Sequence, residues 1–70
     1  MNVDLDCTGL LCPLPVITLA KTLATVEVGD TVTVLADDPA AATDIPAWCR
    51  MRSQDLVSAG DNRYVVRRAS

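Results

Sequence analysis

Residues 2 to 7 alternate without a break: Asn2, Asp4 and Asp6 fall on one face, Val3, Leu5 and Cys7 on the other. A period of two marks a strand with one buried and one wet face. A sheet of such strands is covered on one side only, which points to two layers rather than a sheet enclosed by helices. Thr8-Gly9 ends the alternation. From Pro13 onward, Ile17, Ala20, Leu23 and Ala24 fall on one helical stripe, with Thr18, Lys21, Thr22 and Thr25 away from it. Pro is favoured at the first helical position, so this reading makes Cys12 the N-cap.

Gly29-Asp30 is a turn signal, and residues 31–36 form a β-branched run with Val32, Val34 and Ala36 on one face and Thr31 and Thr33 on the wet one. Asp37-Asp38-Pro39 signals a second helix start. Pro46 is awkward in a helix interior, which predicts a short first turn, a restart capped by Asp44, and a main helix through Trp48 to about Arg52. Residues 55–59 and 63–68 read as two more strands joined by a tight hairpin at Gly60-Asp61-Asn62. The expected fold is therefore α+β: a two-layer β-α-β-α-β-β sandwich with a four-stranded mixed sheet and both helices on one face. The first two strands, joined through a helix, should lie parallel, and the last two antiparallel.

Seventy residues, half of them apolar, suffice for one domain, residues 1–70, with one modest core and no metal. A chain of this size buries only about 60% of its unfolded surface, which leaves little for a deep active site. Chemistry here is expected to be shallow and completed by a partner. The net charge of −3 argues against direct nucleic-acid binding, which draws its affinity from Lys and Arg. Arg50, Arg52, Arg63, Arg67 and Arg68 form either a local contact patch or a set of solvated surface charges. Met1-Asn2-Val3-Asp4 lacks the basic start of a signal peptide. No apolar run approaches the roughly 20 residues that span a bilayer. The expected setting is the cytoplasm, with no membrane, where three Cys read as thiols.

The segment Gly9-Leu10-Leu11-Cys12-Pro13-Leu14-Pro15 carries the chemistry. A thiol at a helix N-terminus meets unpaired N–H groups and the positive end of the helix dipole, both of which favour thiolate. Pro13 and Pro15 have no N–H, so Leu14 and Val16 are the expected donors in the first turn. No His is present, which excludes a Cys–His pair for acyl transfer. A lone thiolate still attacks sulfur, because thiol–disulfide chemistry needs no proton relay. Accepting and donating sulfane sulfur fits that limit, while the plainer alternative makes Cys12 a small buried cap.

At these residues the chain resembles the TusA/SirA-like family of sulfur carriers, whose mark is a Cys-Pro-X-Pro motif at the start of the first helix, here Cys12-Pro13-Leu14-Pro15. Leu5-Asp6 with Gly9, Asp37-Asp38-Pro39 and Asp44-Ile45-Pro46 fall where members keep the same runs, and Cys49 sits where some members have a Cys. The likeness covers about residues 4 to 68. It implies the same sandwich and Cys12 as the persulfide-bearing nucleophile. It also implies a cysteine desulfurase or rhodanese-like donor and a downstream acceptor protein, in tRNA thiolation, molybdenum-cofactor synthesis, sulfur oxidation or selenium metabolism. Met51-Arg52-Ser53-Gln54 departs from the family, many members of which have a Gly, or a Glu followed by His, at this point.

The remaining candidates read more plainly. Cys7 and Cys49 are expected in the core rather than as resolving thiols, and three Cys without His or paired spacing are not a zinc site. Asp37 and Asp38 are either an acid/base pair or, as favoured, Asp38 is the cap of the second helix. Trp48 is either a core anchor, the favoured reading, or an exposed partner contact. Leu10 and Leu11 are odd residues to leave in water and are candidates for a docking surface, with Lys21, Arg50 and Arg52 as charged contacts. No cofactor is expected. Two other functions remain open: a docking or regulatory module that does not use Cys12, and a thiol redox sensor resolved by Cys7 or Cys49.

Overall fold

The computed structural model describes residues 1–11 and 13–70. Its elements run β1 (Asn2–Asp6), α1 (Leu14–Leu23), β2 (Thr31–Leu35), α2 (Ala41–Met51), β3 (Asp55–Gly60) and β4 (Arg63–Arg67), the expected order. The strands form one sheet in the spatial order β1-β2-β4-β3, with β1 parallel to β2 and the other neighbours antiparallel. Val32 lies opposite Val66 and Val34 opposite Tyr64, and alternate residues share a face. These four side chains join Leu19 and Leu23 of α1 and Ala41, Ile45 and Cys49 of α2 in a single core. Both helices therefore cover one face of the mixed sheet, and the sandwich expected from the sequence is the one observed.

The outer face carries Asn2, Asp4 and Asp6, all exposed. Thr33 was expected to be wet but is buried. It sits between Asp4 and Val65 on neighbouring strands, and its hydroxyl donates to Asn2 Oδ1 at 3.1 Å. A central strand position is shielded by its neighbours even on an open face.

The first helix starts later than expected. Pro13, not Cys12, is its N-cap: the Pro13 carbonyl accepts the Ile17 N–H at 3.0 Å, the first bond of the helical series. Pro15 then falls in the first turn, where its missing N–H removes no helical bond. The buried stripe is Pro15, Leu19 and Leu23, each one turn on from the last. Ile17 and Ala24, expected on that stripe, are exposed.

The second helix is continuous through Pro46, with no restart at Asp44. Pro46 forgoes one bond to the carbonyl of exposed Ala42, which water can serve. Ala41, Ile45 and Cys49 meanwhile keep a continuous buried stripe. Asp38 shapes the entry, accepting the Ala40 N–H on its carboxylate at 3.1 Å and the Ala41 N–H on its carbonyl at 2.9 Å. Asp44 lies within the first turn, where a negative charge suits the helix dipole.

The helix ends without glycine. Ser53 takes a φ of 57°, its N–H bonds the Arg50 carbonyl, and the Gln54 N–H bonds the Cys49 carbonyl at 2.9 Å. This is the paired bonding of a Schellman cap, a position that glycine occupies without strain. Ser53→Gly is therefore expected to stabilise the fold by about 0.5–1 kcal/mol, read as a higher urea midpoint at unchanged slope.

The hairpin turn is shorter than expected. Gly60 pairs with Arg63, so only Asp61 and Asn62 form the loop, with φ of 52° and 60°. Positive φ at both central residues is what a two-residue type I′ turn requires. A bulge between Leu56 and Ser58 leaves Val57 without a register partner in β3.

Candidate functional site

The segment joining β1 to α1 is tied down residue by residue. The Cys7 N–H extends the sheet to the Leu35 carbonyl at 2.7 Å, and the Leu10 N–H closes a turn onto the Cys7 carbonyl at 3.0 Å. Gly9 supplies that turn with a φ of 83°. Two carboxylates hold it from outside: Asp6 Oδ1 accepts the Thr8 N–H at 3.0 Å, and Asp37 Oδ1 accepts the Gly9 N–H at 2.9 Å across 28 positions of sequence. The Thr8 hydroxyl and N–H hold the Asp6 carboxyl below the usual carboxylate range. Asp37 thus holds the loop from the β2 side. It is a clamp on the loop, while Asp38 serves the helix entry.

Cys12 lies outside the described residues, and what the structure gives is its frame. Leu11 is 71% exposed, Pro13 is exposed and Leu14 is 48% exposed. Leu10, paired with Leu11 as a docking candidate, packs against the core instead. Leu14's N–H, an expected donor toward sulfur, is already engaged by the Leu11 carbonyl at 2.9 Å. Pro15 is buried and Val16 half-buried. Beside this helix start, Pro13, Val16, Asp44, Ala47, Trp48 and Met51 line a largely apolar cavity of about 270 Å3.

The charged docking candidates do not gather here. Lys21 is in the last turn of α1, about 10 Å along the axis from Leu14 at 1.5 Å per residue. Arg50 is exposed near the end of α2. Arg52 lines a different cavity of about 400 Å3, with Ala20, Ala24, Trp48 and Arg68. Nor do the late arginines form one patch. Arg67 pairs with Asp55 at 2.7 Å, and Arg68 donates to the carbonyls of Ala24 and Val26, just past α1, and to that of nearby Ser70. Trp48 is half-buried against the core and touches both cavities.

The other two thiols are core residues, as expected. Cys7 is 1% and Cys49 2% exposed, both free. Burial pushes both thiols above their ordinary value, and the Asp6 charge adds to the rise at Cys7. Among the described residues, no cluster of His, Cys, Asp and Glu is placed to hold a metal, and no helix is long and apolar enough to cross a membrane.

The chain is a small open-faced α+β sandwich with a braced loop entering its first helix, and Cys7 and Cys49 lie in its core. Residues 3–68 match the family described as Sulfurtransferase TusA, and the chain belongs to that family. Membership brings a sulfur-carrier role in general and work in relay with other proteins.

Proposed function

We propose that this chain accepts sulfane sulfur as a persulfide on Cys12 from a cysteine desulfurase or rhodanese-like donor and passes it to an acceptor protein. The observation that carries the reading is the burial of Cys7 and Cys49, which leaves Cys12 as the thiol whose chain neighbours, Leu11 and Pro13, face solvent. In the first transfer the Cys12 thiolate attacks the terminal sulfur of the donor persulfide. The donor's S–S bond breaks, its thiolate leaves, and no electrons are gained or lost overall. In the second transfer an acceptor thiolate takes that sulfur from Cys12 by the same displacement. The helix starting at Leu14 supports the anionic form at its N-terminal end. Pro13, Pro15 and Val16 shape that end, and exposed Leu11 with the apolar cavity beside Pro13 offers the partner a contact. Acceptors in tRNA thiolation, molybdenum-cofactor synthesis or sulfur oxidation, in the cytoplasm, suit the reading.

The test is intact mass without reductant after incubation with a cysteine desulfurase and cysteine, and separately with a rhodanese and thiosulfate, beside Cys12→Ser. The expected result is a gain of one sulfur atom, reversed by reductant and absent from the variant. No gain with either donor overturns the persulfide and favours a docking module. A disulfide from Cys12 to Cys7 or Cys49 under mild oxidant would favour a redox sensor.

A further inference from the structure

The loop that leads to Cys12 is held from a neighbouring strand. Because β1 and β2 run parallel, with Asp6 beside Leu35, both strands release their loops at the same end of the sheet. Four consecutive N–H groups leaving β1, from Cys7 to Leu10, are engaged. Cys7 continues the sheet, while Thr8 and Leu10 bond groups only two and three residues back. Of the four, Gly9's N–H is the one that reaches a side chain of another segment, Asp37 Oδ1 at 2.9 Å.

Packing does not stand in for that bond. Leu10 rests on the core and fixes the base of the loop, but Thr8, Gly9 and Leu11 are exposed. A Cβ added at Gly9 would meet no atom within 4 Å. Asp37, by contrast, lies between two anchored residues. Ala36 before it is buried, with its N–H on the Asn62 carbonyl at 2.9 Å. Asp38 after it accepts the Ala40 and Ala41 N–H groups at the entry to α2. The Asp37 carboxylate is therefore a fixed point, and the Gly9 peptide it holds lies three residues before Cys12 in the chain.

Resting on the persulfide chemistry proposed for Cys12, we infer that Asp37 is a positioning residue for sulfur transfer, holding through Gly9 the loop that presents position 12 to the donor. Displacement at sulfur needs the attacking atom, the transferred sulfur and the leaving group in line. A loop that strays from that alignment costs rate rather than donor binding. A carboxylate that accepts a backbone N–H favours the bonded state by roughly 10- to 100-fold, and the exposure of both partners sets this one at the lower figure. The acceptor oxygen does the holding, so Asp37→Asn, which keeps that oxygen at the same reach, keeps the loop in place. A contact between the Asp37 charge and the donor would be lost in Asp37→Asn and Asp37→Ala alike.

Single-turnover sulfur uptake tests this on the full chain, Asp37→Ala and Asp37→Asn, followed by intact mass without reductant over a range of donor concentrations. The donor is a persulfide-loaded cysteine desulfurase or rhodanese, whichever loads the unmodified chain. Asp37→Ala should reach the same final gain of one sulfur, with a maximal rate about tenfold lower and an unchanged half-saturating donor concentration. Asp37→Asn should stay within about threefold of the unmodified rate. Amide hydrogen exchange follows the clamp itself: Gly9 should exchange about tenfold faster in Asp37→Ala, with Val34 in β2 unchanged. A merely structural role would lower the urea midpoint and leave the maximal rate of the folded chain alone. Equal maximal rates in Asp37→Ala and the unmodified chain overturn the inference and leave the persulfide reading standing. A raised half-saturating concentration shared by both variants also overturns it, and assigns Asp37 to the donor's contact surface. No sulfur on the unmodified chain from either donor overturns the persulfide reading, and the inference falls with it.

Discussion

Leu19→Ala is expected to remove most of the stability of this fold. Leu19 is fully buried on the central turn of α1, in the core with Val32, Val34 and Ile45. Truncating a buried leucine costs about 2–5 kcal/mol, the spread reflecting how far the cavity collapses. A domain of this length has roughly 3–10 kcal/mol in total, at 0.05–0.15 kcal/mol per residue. Each kcal/mol lowers the melting temperature by about 4–8 °C at this size, so a drop of at least about 8 °C is expected. Ile17→Ala, two residues away on a side chain that is 42% exposed, should cost under about 1 kcal/mol, because little apolar area is lost. Thermal melts of the two variants decide which side of α1 faces the sheet. Equal losses would mean that the helix is rotated from the position described.

That contrast also shows where the sequence could be read and where it could not. The alternation of Val3, Leu5 and Cys7 against Asn2, Asp4 and Asp6 has one structural solution, and β1 adopts it. In α1, by contrast, Leu14, Pro15, Val16, Ile17, Leu19, Ala20 and Leu23 are apolar on nearly every side. Periodicity alone then leaves the buried stripe undetermined, and the sheet beneath selects Pro15, Leu19 and Leu23. Pro46 misled for a different reason. A local rule against proline in helices is outweighed by the continuous buried stripe of Ala41, Ile45 and Cys49. At the site, the Cys-Pro-Leu-Pro segment stood out because four residues in a row carry the signal. Asp37 did not, because its partner Gly9 is 28 positions away and only the parallel pairing of β1 with β2 brings the two loops together.

The burial of two cysteines gives the second large effect, a separation of the three thiols by rate. Cys7 and Cys49 have 1% and 2% exposure, and burial raises both above the ordinary 9.0. Near neutral pH they are withdrawn twice over, by lack of access and by lack of thiolate. They can be alkylated only through opening of the fold, whose population is roughly 10⁻³ or less at ordinary stabilities. Cys12 should therefore take up iodoacetamide at least about 10³-fold faster than either, leaving a singly labelled protein whose modified peptide contains position 12. The same two groups set an alkaline limit. The native state holds their protons to higher pH than the unfolded chain does, so unfolding releases protons once the pH exceeds the ordinary value. Stability is thus complete below about 9 and falls as the pH rises from there toward the raised native values. Urea midpoints measured across that range should decline, and the decline should shrink in Cys7→Ala and again in Cys49→Ala. Labelling of Cys7 or Cys49 in step with Cys12 would show that the core opens freely, and the case for Cys12 as the one working thiol would lose the observation on which it stands.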